Sequence, residues 1–260
     1  MKYPIGRETN LGYSAIRQES VDPNNSTKGD FKESFHIGRL VNGEPIQDLP
    51  TLFSDDIENL RKFQKLCDSI ACDIMDCFSI ALQIPEEKGG RSYFSQKYIS
   101  DNQPSDVIRI LHYPASDASD SNEKNDIIRI GRHSDYGLIT LLWQREVGGL
   151  QIQSNETEIV KDMTWLDVPV REDCIIVNMG DCLQYWTNGY IRSTKHRVIF
   201  KADSLHKDRY SLAYFIQGGQ IPLDPVPSDK IPPPSNEKIS FKTSADYLAH
   251  RLSLTYKEYY

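Results

Sequence analysis

From about residue 106 to residue 217 the chain consists of short apolar segments separated by turn residues, and this feature restricts the fold most. The segments are rich in Ile, Val, Leu and aromatic residues, which is typical of β-strands. They are Val107–Leu111, Ile127–Ile130, Leu138–Trp143, Leu150–Gln153, Trp165–Val168, Cys174–Asn178, Arg197–Lys201 and Arg209–Ile216. Many short strands after a helical segment predict a double-sheet jelly roll with flanking helices.

The chain before this region predicts one irregular and one helical segment. Residues 1–50 are rich in Gly, Asn, Asp and Pro, so we expect loops with brief strands there. Residues 54–84 carry apolar side chains at mostly three- and four-residue steps. That spacing predicts a long amphipathic helix, which would serve as scaffold.

Two further segments complete the predicted organisation. Residues 117–125 are rich in Ser, Asp and Asn and are expected to form a mobile loop. Residues 218–260 are expected to contain a helix over Thr243–Glu258. Because no linker clearly divides the chain, we predict one domain over 1–260, with the jelly-roll core at 106–217.

Composition bears on partners and location. The net charge of −7 and the pI near 5.4 argue against a general binder of nucleic acid or anionic membranes, which would carry a basic stripe. No apolar run approaches the length of a membrane span, and the start lacks the apolar core of a secretory signal. An odd number of cysteines, five, fits free thiols in a reducing compartment, so a cytoplasmic location is expected.

Three residues suit a metal ion. His133 and Asp135 are separated by one residue, and alternate side chains at a strand end share one face. His196 heads a later apolar run, from which a second strand can bring a third ligand. Two histidines and one carboxylate on one face of an octahedral ion leave other positions open, as iron(II) needs to bind O2 together with an organic ligand. The short motif alone would more often be a histidine that happens to lie near an aspartate.

A possible carboxylate site follows further along the chain. Arg209 and Ser211 alternate along a predicted strand, so both would point into the same barrel mouth as the histidines. A guanidinium matches a carboxylate with a planar fork, and a neighbouring hydroxyl can complete the contact. Without the metal motif, Arg209 would be interpreted as a solvated strand arginine.

The motifs occur in an order that resembles a known family. They are Asp30-Phe31-Lys32-Glu33-Ser34-Phe35, Arg109-Ile110-Leu111-His112-Tyr113-Pro114, His133-x-Asp135, Gly149-Leu150-Gln151, Asn178-Met179-Gly180-Asp181, Trp186-Thr187-Asn188-Gly189, Ser193-x-x-His196-Arg197-Val198 and Arg209-x-Ser211. This order resembles the iron/ascorbate-dependent oxidoreductases, the family of 2-oxoglutarate/Fe(II) dioxygenases similar to isopenicillin N synthase. The resemblance runs from about residue 12 to the C-terminus. It implies a mainly β double-stranded β-helix with Fe(2+) held by His133, Asp135 and His196.

The resemblance also implies a cosubstrate and a reaction. Arg209 and Ser211, together with Tyr113, would bind the C5 carboxylate of 2-oxoglutarate, with ascorbate as a reductant. The reaction would consume O2 and hydroxylate or desaturate a small organic molecule, with release of succinate and CO2. Arg209 and Ser211 support carboxylate binding more firmly than they identify 2-oxoglutarate, because family oxidases also carry this pair.

The sequence departs from the family at two places. Relatives often have Asn two residues before the tyrosine, where this chain has Leu111. The N-terminal Gly-Phe-Phe and Asn-His-Gly motifs of the family do not occur, so the chain is expected to be N-terminally short relative to the family. Two alternatives therefore stay open, an iron-dependent oxidase that does not use 2-oxoglutarate and a truncated, non-catalytic binding or scaffold protein. Neither the substrate nor the oligomeric state is predicted.

Overall fold

The computed structural model of the chain describes residues 2–6, 9–21, 29–101, 105–115, 127–154, 164–201, 204–235 and 239–255. The loop predicted over 117–125 and the last residues of the predicted C-terminal helix, 256–258, lie outside the described residues.

The strands form two antiparallel sheets. Their bounds are β1 Gly12–Ser14, β2 Glu33–Gly38, β3 Val107–Tyr113, β4 Ile127–His133, β5 Ile139–Arg145, β6 Leu150–Gln153, β7 Trp165–Asp167, β8 Ile176–Met179, β9 His196–Phe200 and β10 Arg209–Ile216. The larger sheet has the strand order β1-β2-β3-β10-β5-β8, and the smaller has the order β4-β9-β6-β7. Every apolar segment identified in the sequence contains a strand, and the predicted jelly roll is confirmed.

Two of these strands lie in the N-terminal segment, which was expected to be irregular apart from brief strands. β2 pairs along its whole length with β3, and β1 pairs with β2, so the segment extends the larger sheet. The side chains of Ser34 and His36 on β2 are buried. This strand therefore buries polar side chains, which removes the apolar alternation by which a strand is recognised in a sequence.

The helices are α1 Thr51–Ser54, α2 Ile57–Ala81, α3 Tyr93–Ile99, α4 Asp181–Trp186 and α5 Ser244–Thr255, with 3-10 turns at Glu86–Lys88 and Gly90–Ser92. α2 and α5 lie within the two predicted helical segments, whereas α1, α3 and α4 were not predicted. Among the described residues, no helix is both long enough and apolar enough to cross a membrane.

α2 covers the outer face of the larger sheet. The Phe63 ring lies 5.3 Å from that of Trp143 on β5 and 6.4 Å from that of Tyr214 on β10, measured between centroids. On the same helix, Asp68 accepts hydrogen bonds from both terminal nitrogens of Arg39, each at 2.6 Å. The hydroxyl of Tyr214 donates to Asp68 at 3.1 Å. This packing leaves the inner face of the sheet available for a site.

The inner faces of the two sheets enclose a cavity of about 290 Å³. Leu111 and Leu142 of the larger sheet and Ile130, Leu150 and Val198 of the smaller one line its apolar walls. Polar side chains line the same cavity, and they include every site residue predicted from the sequence.

Candidate active site

The structure brings His133, Asp135 and His196 together. His133 ends β4, His196 begins β9, and these two residues are direct partners in the antiparallel pair. Their rings lie 4.2 Å apart between centroids. Asp135 follows the end of β4, and one ligand atom from each of the three residues lies within 4.8 Å of the others. Within the part of the chain that the structure describes, this is the group with metal-ligand geometry.

Backbone carbonyls orient both imidazoles. Nδ1 of His133 lies 2.9 Å from the carbonyl oxygen of Gly131, and Nδ1 of His196 lies 3.1 Å from that of Thr194. A carbonyl oxygen only accepts, so Nδ1 must donate and the lone pair of each ring is left on Nε2. Nε2 of His196 faces Oδ1 of Asp135 at 3.6 Å. The rings are therefore held with their lone pairs toward one point, as ligating histidines usually are.

Two side chains orient the carboxylate of Asp135. The hydroxyl of Thr140 donates to Oδ2 at 2.7 Å, and Nδ2 of Asn178 donates to the same oxygen at 2.8 Å. Both donors engage Oδ2, which leaves Oδ1 free toward the histidines. Thr140 was not predicted as a site residue, and Asn178 stood out in the sequence only through its place in the family motif.

The protonation states of His133 and Asp135 fit a cationic metal. Burial lowers the pKa of His133 to about 3, and the neighbouring His196 acts in the same direction. Burial acts to raise the pKa of Asp135, but His196 and His133 outweigh it, so the pKa lies below its usual value. At neutral pH the site therefore offers a neutral imidazole at His133 and an ionised carboxylate. Two imidazoles and one carboxylate are the donor set of non-haem iron(II) sites, so the residues present fit this ion.

A hydrogen-bonded chain links the metal motif to α5. Ser134, which stands between the two ligands, donates to Oδ2 of Asp181 at 2.8 Å. Arg251 of α5 pairs with the same oxygen at 2.8 Å. The backbone N–H of Asp181 also donates to the carbonyl oxygen of Asp135 at 2.7 Å. This close approach requires glycine at position 180, because a Cβ atom there would lie 2.1 Å from the carbonyl oxygen of Gly137.

Arg209 is a buried cation in the cavity wall. Its side chain is 1% exposed, so the alternative of a solvated strand arginine is wrong. Its terminal nitrogens donate to Oγ of Ser211 at 3.2 Å and to Oε1 of Gln144 at 3.0 Å, while its Nε has no partner. Among the described residues, no carboxylate forms an ion pair with it. A buried cation is costly unless it is paired, so this position fits an anionic ligand.

Tyr113 and Ser211 share this end of the cavity. The guanidinium carbon of Arg209 lies 4.7 Å from the centroid of the Tyr113 ring, and the two residues are direct partners between β3 and β10. Both line the cavity, together with the three metal-site residues. The structure thus places all six residues predicted for the site around one space.

Comparison with known proteins shows what the chain is similar to. The model of the 2OG-Fe(II) oxygenase superfamily matches residues 104–218. The UPF0676 protein C1494.01 of Schizosaccharomyces pombe is 32% identical over 252 residues, which cover 96% of this chain and 73% of that protein. Proline hydroxylase buaE of Petromyces alliaceus is 35% identical over 228 residues, which cover 82% of this chain and 65% of the enzyme.

A solved structure shares the fold and a similar level of identity. The crystal structure of a full-length Neurospora crassa protein in complex with alpha-KG and thymine matches with a TM-score of 0.71 and 31% identity. The match covers 96% of this chain and 75% of that one. The chain thus spans roughly two thirds to three quarters of the length of these relatives.

Proposed function

Because the chain belongs to the 2OG-Fe(II) oxygenase superfamily, we propose that it oxidises a small organic molecule in a reaction that consumes O2 and 2-oxoglutarate. The single observation that best supports this proposal is Arg209, a buried guanidinium with no anionic partner among the described residues, which lines the same cavity as a two-histidine, one-carboxylate cluster. The products would be succinate, CO2 and the hydroxylated or desaturated substrate.

The comparisons confirm part of what the sequence predicted. They confirm the family, the enzyme class of 2-oxoglutarate-dependent dioxygenases, and the cofactors Fe(2+) and 2-oxoglutarate. The role of each site residue, ascorbate as reductant and the nature of the substrate stay predictions.

His133, Asp135 and His196 would hold iron(II) through Nε2, Oδ1 and Nε2, the atoms left free by the hydrogen bonds described above. When bound, the iron supplies the activation of O2 that makes oxidation of a C–H bond accessible. Because the three residues all come from one wall of the cavity, they would leave the cavity side of the ion open to the cosubstrate and O2.

Arg209, Ser211 and Tyr113 would bind the far carboxylate of 2-oxoglutarate. Arg209 already donates to Ser211, so the hydroxyl is held beside the guanidinium fork. The unpartnered Nε of Arg209 keeps donor capacity for a carboxylate oxygen. The apolar walls between the two ends would exclude water from the reacting atoms.

The substrate is proposed to be a small organic molecule. A cavity of about 290 Å³ must hold the cosubstrate and the substrate side by side. The relatives support this size class, since one is named a proline hydroxylase and another was solved with thymine.

The acidic net charge of −7 supports the absence of a nucleic-acid partner. The five cysteines are free, which supports a cytoplasmic location.

The test is succinate formation from 2-oxoglutarate by the purified chain with iron(II) and ascorbate, against a panel of small organic acids and ring amides. His133→Ala and Asp135→Ala should abolish turnover, whereas Arg145→Met, which changes an exposed side chain on β5, should leave it intact. Equal turnover by either ligand variant would refute the metal assignment. O2 consumption without succinate would favour the 2-oxoglutarate-independent oxidase, and failure to bind Mn2+ would favour the scaffold protein.

A further inference from the structure

A second arginine, Arg109, lies on the inner face of the larger sheet, the face that borders the cavity. Leu111 and Tyr113 line the cavity from β3, and Arg109 shares their face because side chains alternate along a strand. In the sheet, Arg109 is the direct partner of Ala213 on β10, which also lines the cavity. Its guanidinium carbon lies 5.3 Å from the ring centroid of Phe215, another lining residue.

Among the residues that the structure describes, no carboxylate lies within ion-pair distance of the Arg109 guanidinium, and its buried Nε has no hydrogen-bond partner there. The Phe215 ring attracts the guanidinium through a cation–π contact, but it accepts no conventional hydrogen bond. Arg109 therefore holds a half-buried positive charge and free donors beside the cavity.

The neighbouring carboxylate, Glu19, is engaged elsewhere. Its Oε2 pairs with Nζ of Lys32 at 2.6 Å, and both side chains are buried. Burial acts to raise the pKa of Glu19, but Lys32 and then Arg109 outweigh it and lower the pKa. Burial, together with the charge of Arg109, lowers the pKa of the adjacent His36 to about 3, so His36 is neutral. Glu19 thus faces two permanent cations, while Lys32 also faces Asp30 and Oε1 of Glu19 has no hydrogen-bond partner among the described residues.

Arg109 and Arg209 lie at different heights in the cavity. Arg209 pairs with Tyr113, which stands four residues from Arg109 on β3, a separation of about 13 Å along the strand. Arg109 lies toward the metal end, because Phe215, over which it packs, is the partner of Thr140, and Thr140 hydrogen-bonds the ligand Asp135. An anion that binds Arg209 therefore leaves Arg109 free for a second one.

From this arrangement we infer that Arg109 binds a carboxylate of the organic substrate at the metal end of the cavity. This inference rests on the proposed function, because it names the class of molecule that is oxidised. The preference for an acid over its amide can nevertheless be measured by binding alone, without turnover. The apolar walls around Leu111 and Phe215 would contact the remainder of the molecule, so the substrate is a small acid with an apolar body.

The test compares acids with their primary amides, which have nearly the same shape without the charge. Benzoate, phenylacetate and 3-phenylpropionate, and the three matching amides, are titrated by calorimetry into the Mn2+-loaded chain and into the chain alone. The proteins are the parent, Arg109→Met, Arg109→Lys, Arg209→Met and the charge-matched control Arg145→Met. Thermal unfolding of each variant verifies that it is folded.

The parent, Arg209→Met and Arg145→Met should bind at least one acid about tenfold or more tightly than its amide. Arg109→Met should lose that preference, and Arg109→Lys should keep part of it, because a charge remains without the planar fork. Loss of the preference in Arg209→Met alone would mean that the acids bind at the proposed cosubstrate site, which overturns the inference. No preference for any acid in the parent also overturns it.

The two proposals fail in different ways. If Mn2+ does not bind to the parent, the proposed function fails, while the acid preference can still be read in the metal-free titration. If Mn2+ binds and Arg109→Met retains the preference, the inference fails and the proposed function stands.

Discussion

Replacement of Arg209 by methionine removes the cation that is proposed to bind the far carboxylate of 2-oxoglutarate. The side chain is 1% exposed, and methionine keeps much of its length while removing the charge and the donors. Loss of one partner of a buried, hydrogen-bonded charge pair costs about 2–5 kcal/mol. The affinity for 2-oxoglutarate should therefore fall by about 30-fold to a few thousand-fold.

This loss of affinity is best measured through the rise in Tm that 2-oxoglutarate causes when it binds. With 2-oxoglutarate at about one hundred times the parent's Kd, binding stabilises the parent by about 2.7 kcal/mol. At the same concentration a variant that binds at least 30-fold more weakly gains at most about 0.9 kcal/mol. For a chain of this size each kcal/mol moves Tm by about 2–4 °C, so the shift should shrink from about 5–11 °C to less than about 4 °C.

The assay is a thermal melt with Mn2+ present, with and without 2-oxoglutarate, on the parent, Arg209→Met and the control Arg145→Met. Arg145 is exposed on β5, so its variant should shift as the parent does. The shift caused by Mn2+ alone verifies that the variant retains the metal site. An equal shift by 2-oxoglutarate in Arg209→Met and in the parent would refute the reasoning, because the buried cation would then not be the carboxylate ligand.

Three further predictions concern the metal site and the fold. Asn178→Ala, which leaves Asp135 with one donor, should weaken Mn2+ binding by about 10- to 100-fold in a calorimetric titration, and an unchanged affinity would contradict the role given to Asn178. Burial raises the pKa of Asp30 to about 6, above its unfolded value near 4, so the folded state binds more protons between these values and stability falls as pH rises from about 4 to about 6. In urea unfolding, Asp30→Asn should therefore gain about 2–3 kcal/mol on the parent between pH 4 and pH 8, and a constant difference would argue against a raised pKa. Asp68→Ala, which removes the bidentate partner of Arg39 but leaves its ion pair with Asp106, should lower the free energy of unfolding by about 1–3 kcal/mol and leave Mn2+ affinity unchanged.

The sequence was sufficient to predict the strands of the core because their apolar content is local. Each segment from β3 to β10 carries its own Ile, Val, Leu or aromatic run, and the structure forms a strand in every one. β2 is different, since it buries Ser34 and His36, and their burial depends on partners in other segments. Ser34 contacts Nε2 of His36 at 2.8 Å, and Nδ1 of His36 contacts the carbonyl oxygen of Asn10 at 2.9 Å. No window of sequence reveals such pairing.

The short helices were missed for a related reason. α4 spans only Asp181–Trp186, less than two turns, which is too short for a helical period to be recognised. Asn188 and Gly189 follow α4 with φ of 49° and 82°, a conformation that these two residue types adopt readily. The helix before them depends on packing such as the contact of Trp186 with Phe94, 4.9 Å between ring centroids.

The site, too, could be predicted from the sequence only in part. His133 and Asp135 could be paired from their spacing, and His196 could be added from its place at a strand start. Which carboxylate oxygen is left free depends on Thr140 and Asn178, and these approach Asp135 only through the pairing of β5 with β8. Sequence patterns identify residue types that can bind, whereas the direction of their lone pairs comes from tertiary structure.

The link from Ser134 through Asp181 to Arg251 has a consequence for how the chain can be altered. Because Arg251 of α5 reaches Ser134, the residue between two ligands, only through Asp181, a change in α5 is expected to shift His133 and Asp135 without touching the cavity. Substitutions on this helix should therefore change metal affinity from a distance.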